Sequence, residues 1–149
     1  MKEIIVQLIT AFFGSLGFAL LFNMRKKHLL AASAVGMLGW GMYLLMESFG
    51  FECFVVTFLA SSFTSLCCEL CGELLDAPAT MFFITAVVPL IPGRSLYYTV
   101  YYMAHRDLEQ AKLFAGTTAQ YAIGIACGIS AVWTLFRMLR TALAGRTRS

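Results

Sequence analysis

The sequence predicts an all-α integral membrane protein, a single domain of residues 1–149 built as five transmembrane helices with the fourth broken at a Pro-x-x-Pro-Gly motif. Hydrophobic residues make up 60% of the 149 and charged residues 13%, well away from the balance of a soluble domain. The apolar residues fall in long runs, and the length leaves room for about five spans of roughly 20 residues each with no separate soluble domain. The net charge of +3 comes from basic residues set beside the apolar runs, which speaks for orientation in a bilayer and against nucleic acid as a partner.

The first run, residues 4–24, ends at Arg25, Lys26, Lys27 and His28. A cleaved signal peptide would carry its positive charge before the apolar stretch, so this segment is expected to stay as span one. Span two covers residues 29–46, and after the short connection "ESFGFE" span three covers 53–75. Span four covers 77–104 with Arg94 as its only charge, and span five covers 113–136 before the basic tail "RMLRTALAGRTRS". Basic residues collect on the cytoplasmic side. An even number of spans separates the first-loop cluster from Arg137, Arg140, Arg146 and Arg148, so five helices with the N-terminus outside and the C-terminus inside satisfy both.

Span four is longer than a bilayer needs and contains "VVPLIPGRSLYY", residues 87–98. Pro89 and Pro92 lack a backbone N–H and crowd the preceding turn, so carbonyls near Thr85, Ala86 and Val88 lose their usual donors. Bare carbonyls in lipid are costly, which predicts either a kink packed among neighbours or a discontinuous helix near the midplane. Two prolines followed by Gly93 favour the second. A new helical half starting at Gly93 would present its N–H groups and positive dipole end to a carboxylate. Arg94 has two readings: it snorkels to the outer interface, or it pairs a substrate carboxylate or an acid on another subunit. Tyr97 and Tyr101, and Tyr98 and Tyr102, recur at helical spacing as an interfacial belt, with Tyr98 one turn beyond Arg94 for a cation–π contact.

In "SLCCELCGELLDAP", Cys67, Cys68 and Cys71 lie within about one helical turn. A structural zinc site needs about four ligands and no second pair is present, so packing is the expectation and a metal or redox role the alternative. Glu69, Glu73 and Asp76 fall on one helix face at the cytoplasmic end, either as a solvated stripe or as a proton relay. Gly124 and Gly128 form G-x-x-x-G, and Gly36, Gly39 and Gly41 line part of span two, which predicts close helix approach. No cofactor motif is present, and no G-x-S-x-G, H-E-x-x-H or P-loop pattern points to an enzyme. An intramembrane hydrolase would have to pair Ser95, or a cysteine, with His105.

The stretch "APATMFFITAVVPLIPGRSLYYTV", with "GFALLFNM", "GMLGWGMYLL" and "FLASSF", resembles the threonine/serine exporter family in its small split-subunit form, over nearly the whole chain. The P-x-x-P-G-x-x-x-Y core carries the resemblance. It implies a secondary exporter of the bacterial inner membrane, driven by the proton gradient and expelling small hydrophilic amino acids or a dicarboxylate. It also implies a larger partner subunit with a cytoplasmic domain and further spans. Pro89, Pro92, Gly93 and Tyr97 match the family core, and Asn23 matches the asparagine closing span one. Arg94 stands where the family has a small residue, which bears on the substrate. With Ser95 these are the expected translocation residues, and Glu69, Glu73 and Asp76 the expected proton-coupling residues. A homo-oligomer is a further expectation, and a purely structural subunit the rival reading.

Overall fold

A segment crossing lipid must satisfy its backbone groups internally, and the charge-free runs do so by coiling into helices. The computed structural model describes residues 2–146. These form α1 (Lys2–Leu21), α2 (Lys26–Ser48), α3 (Cys53–Leu74), α4 (Ala79–Ala86), a 3₁₀ turn (Val88–Leu90), α5 (Gly93–Ala104) and α6 (Leu108–Arg146). Helices α1, α2, α3 and α6 are each long and apolar enough to cross a membrane; α4 and α5, bent by 57°, make a fifth crossing if they count as one span. The all-helical membrane bundle expected from composition is therefore found, with Arg148 lying outside the described residues.

The turns are set by backbone geometry. Asn23, Asp76 and Arg106 take positive φ of 52°, 49° and 59° after α1, α3 and α5, and Gly50 takes 76° after α2. After α3 this is a helix-ending pattern in which the Ala77 N–H bonds the Gly72 carbonyl at 3.0 Å. Asp107 opens α6, its side chain accepting the Gln110 N–H at 3.2 Å. That cap is why α6 starts before the apolar run expected at residue 113.

Ala19, Met24, Ala32, Cys68 and Phe82 share one core cluster. The α1–α2 turn, the end of α3 and the start of α4 therefore meet at one end of the bundle, and Arg140 of α6 reaches Glu73 there. Arg25, Lys26 and Lys27 thus sit at the same end as Arg140, as an even number of crossings requires. Tyr43, Val56, Ala60 and Leu90 form the second cluster, toward the opposite end.

Helix packing rests on glycines facing hydroxyls. A methyl group on Gly36 would collide with Ser15, on Gly39 with Thr64, on Gly124 with Thr57 and on Gly128 with Ser61. Lipid offers no hydrophobic drive for helix association, so close backbone approach through small residues supplies the attraction. At 39 residues α6 is about 58 Å long, nearly twice the hydrocarbon thickness. Its second half lies along α3, while Phe114 in its first half stacks on Tyr98 and Tyr102 of α5 at 5.1 and 5.5 Å.

Candidate functional site: the helix break and the two ends of the bundle

The break follows from proline chemistry. Pro89 has no N–H to offer the Thr85 carbonyl, and the Leu90 N–H turns to Val87 at 2.9 Å instead of reaching Ala86. The carbonyls of Thr85 and Ala86 thus lose their helical donors, as expected. That of Val88 does not, because the Ile91 N–H takes it at 3.2 Å within the 3₁₀ turn. Gly93 begins α5, and among the described residues no side chain caps its first turn.

Thr85 and Ala86 are fully buried and Leu90 nearly so, which places the first half of the break inside the protein, whereas Ile91 and Gly93 beyond it are exposed. Val88 and Pro89 form one wall of a cavity of about 300 Å³, completed by Gln7, Thr10 and Gly14 of α1 and Trp40 of α2. Arg94, Ser95 and Tyr97 follow on α5, with Arg94 and Tyr97 exposed. The Arg94 guanidinium lies 5.9 Å from the centre of the Tyr98 ring, the cation–π contact that the spacing suggested. The stacked pairs are present too, Tyr97 on Tyr101 at 6.2 Å and Tyr98 on Tyr102 at 6.1 Å.

Sequence reasoning missed the polar aromatic group beside the break. Trp40 stacks on Tyr43 with ring centres 4.8 Å apart and donates its indole N–H to Gln7 at 3.3 Å. The Tyr43 hydroxyl shares a 2.6 Å hydrogen bond with Tyr121 and donates to Glu47 at 3.4 Å. This chain ties α1, α2 and α6 together around Leu90. One signal was legible: Tyr43 is a phenol inside a charge-free run, and a buried phenol needs a partner.

At the basic end, Glu69, Glu73 and Asp76 line one cavity of about 640 Å³ with Thr80, Trp133 and Arg140. The three acids do not share one helix face, since α3 ends at Leu74 and Asp76 lies in the turn beyond; the reversed backbone at Asp76 still leaves it on the cavity wall. Arg140 approaches Glu73 at 2.9 Å and Glu69 at 3.6 Å. Glu69 is only 8% exposed, whereas Glu73 is open to solvent.

Several candidates lie elsewhere. Asn23 is exposed in the α1–α2 turn, more than two helical turns from Gly14 at the cavity beside the break, and its positive φ gives it a helix-ending role. Ser95 and His105 occupy opposite ends of α5, about 15 Å apart along the helix, too far to work as nucleophile and base. Cys68 is buried in the core beside Phe82, with Cys67 and Cys71 packed against the same cluster. His28, at the end of the basic cluster, is buried in the first turn of α2 with its ring edge-on to Phe82 at 5.6 Å.

No solved structure matches the chain. A family model described as Threonine/Serine exporter, ThrE, matches residues 7–135. That span takes in the break, the aromatic group around it and most of the helices that enclose them. The match covers most of the sequence, and the chain belongs to the threonine/serine exporter family, a family of membrane transporters.

Proposed function

We propose that the chain is one subunit of a split secondary exporter that expels serine, threonine or a small dicarboxylate from a bacterial cell across the inner membrane. The observation that carries this reading is the break itself, where the Thr85 and Ala86 carbonyls lose their helical donors and Val88 and Pro89 line a cavity shared with α1 and α2. A straight packed helix would have no reason to keep Pro89 and Pro92 on either side of the buried Leu90. Pro89, Pro92, Gly93, Arg94, Ser95 and Tyr97 form the translocation segment in this reading, with the uncapped start of α5 facing a substrate carboxylate. The basic end faces the cytoplasm, the N-terminus lies outside, and Glu69, Glu73 and Asp76 are the residues for proton coupling.

A larger subunit carrying a cytoplasmic domain completes the pathway. A methyl group added to Gly14 or Gly17 of α1 would meet nothing within 4 Å, and both glycines are exposed, which leaves α1 a small-residue face for another helix. The rival reading, a subunit that only scaffolds the complex, shares that face and differs at the break. Efflux of serine, threonine and a dicarboxylate is measured in a host lacking its own exporters, with the larger subunit supplied. Pro89→Ala combined with Pro92→Ala is expected to abolish export while preserving membrane insertion. Wild-type efflux from the double variant would make the prolines simple kinks and favour the scaffold.

A further inference from the structure

Arg137 is the first charged residue after a run with none from Leu113 to Phe136, which sets it where α6 leaves the hydrocarbon for the headgroup layer. About two and a half helical turns separate it from Gly128, so the two lie on opposite sides of the helix. Gly128 faces Phe58 and Ser61 of α3. Arg137 therefore points away from the bundle, and it is exposed. Arg140, one turn further on, meets Glu73 and Glu69. Among the described residues Arg137 makes no ion pair, and its guanidinium instead lies 5.6 Å from the centre of the Trp133 ring. That contact steadies the planar fork while leaving its N–H groups to an outside acceptor.

Trp133 and Arg137 form one side of a groove of about 580 Å³ along this face, continued by Thr134, Met138 and Thr141. A volume of roughly 300–1,000 Å³ is usual for a small-molecule site. The hydroxyls of Thr117, Thr118 and Thr141 donate to carbonyls one turn back, at 3.1, 2.8 and 2.8 Å. Thr134 makes no such bond among the described residues, so its hydroxyl is a second donor in the groove. Helix seams elsewhere in the chain set a glycine against a hydroxyl, whereas this face has no glycine from Trp133 to Ala142. Its bulky side chains hold another backbone at a distance. The same stretch contains no acid, so a cation brought by the ligand would find no partner there.

We infer that this groove binds one anionic phospholipid, with its phosphate held by Arg137 and the Thr134 hydroxyl and its acyl chains descending past Trp133. Guanidinium and phosphate meet in two parallel hydrogen bonds, which a fork already held in place forms at small entropic cost. A net negative headgroup is selected because Arg137 has no acid to neutralise it, and because the Trp133 ring is already taken by that guanidinium. The site is apart from the broken helix. It depends neither on the exporter reading nor on which way the bundle faces.

The test follows thermal unfolding of the full chain in a neutral maltoside detergent as lipid is added. Phosphatidylglycerol is expected to raise the midpoint saturably, because a ligand that binds the folded chain stabilises it. Phosphatidylcholine, and inorganic phosphate as the same anion without its chains, are each expected to need at least about tenfold more. Arg137→Gln is expected to raise the half-saturating phosphatidylglycerol concentration about tenfold, and Arg137→Lys, which keeps the charge and loses the fork, by less. Arg140→Gln removes an equal charge one turn away and is expected to leave it within about twofold. Native mass spectrometry of the same samples is expected to find one phosphatidylglycerol retained on the wild type and none on Arg137→Gln. Arg137 is exposed, so the midpoint without lipid is expected to be the same in both. No saturable rise with phosphatidylglycerol, an equal response to phosphatidylcholine or inorganic phosphate, or an unchanged half-saturation in Arg137→Gln would overturn the inference. Equal losses in Arg137→Gln and Arg140→Gln would overturn it too, as diffuse attraction to a basic surface.

Discussion

Tyr43 of α2 and Tyr121 of α6, 78 residues apart in the chain, share a 2.6 Å hydrogen bond beside the broken segment. Their rings are nearly parallel with centres 6.2 Å apart, and Leu90 packs in the same cluster. The bond fastens α2 to α6 across the place where the fourth span loses its own backbone continuity.

The two phenols are not equivalent, because Tyr43 has Glu47 as a second partner. Tyr121→Phe leaves Tyr43 that partner, whereas Tyr43→Phe removes the donor to Glu47 along with the partner of Tyr121. Both variants are expected to lower stability, Tyr43→Phe by about 1–2 kcal/mol and Tyr121→Phe by about half that. Unfolding in mixed detergent measures the difference, and the double variant gives the coupling between them.

Glycines in this chain fall into two kinds. A methyl group on Gly128 would lie 2.6 Å from the Phe58 carbonyl oxygen, backbone that cannot move aside, while one on Gly93 would meet nothing within 4 Å. Gly128→Ala is expected to cost about 1–3 kcal/mol by forcing α3 and α6 apart. Gly93→Ala is expected to leave the unfolding midpoint of the isolated chain unchanged, so any loss of export it causes would come from the site and not from the fold.

Arg94 is exposed at the start of α5, its guanidinium over Tyr98, and among the described residues it makes no ion pair. Arg94→Ser is expected to raise the half-saturating concentration of a dicarboxylate about tenfold and that of serine by less, since a second carboxylate gains most from a second cation. Equal efflux of serine, threonine and dicarboxylate before and after the change would leave Arg94 as an interfacial anchor.

Topology has its own check. With Arg25, Lys26 and Lys27 at the cytoplasmic end, a cysteine replacing Ser48 after removal of the native thiols is expected to react with an impermeant maleimide added outside intact cells. One replacing Lys27 is expected to react only after the cells are opened. The reverse pattern would invert the bundle.

Much of this was legible in the sequence because the membrane simplifies the problem. Charge-free runs, basic clusters and a Pro-x-x-Pro-Gly motif each act through local chemistry, so the helices, their shared basic end and the break were all readable. The 57° direction of the bend was not, since it depends on which neighbours receive Val88 and Leu90. Nor was the pairing of Arg140 with Glu69 and Glu73, because contacts 67 or more residues apart follow from how α6 lies on α3. Asp76 shows the limit of periodicity: helical spacing put it on a stripe with the two glutamates, but the helix ends before reaching it.

The seams built on glycine and hydroxyl contacts differ in what happens when they open. Thr57 and Thr64 donate to carbonyls of their own helix at 2.7 and 2.8 Å, and Ser61 does so at 3.1 Å, so the seams of α3 with α2 and α6 can part in lipid without stranding a hydroxyl. Ser15 and Ser62 are the exceptions. Ser62 of α3 faces Gly128 of α6, and Ser15 is fully buried against Gly36 in the α1–α2 seam, close to Ala86; among the described residues neither hydroxyl has a partner. An unsatisfied buried hydroxyl costs about 1–3 kcal/mol. Closure of the α1–α2 seam is therefore held under tension, and separation of α1 from α2 would free Ser15 to bond its own helix. The same holds for Ser62 where α3 meets α6 at Gly128, so two seams of the bundle, one of them next to the break, would each gain a hydrogen bond on opening.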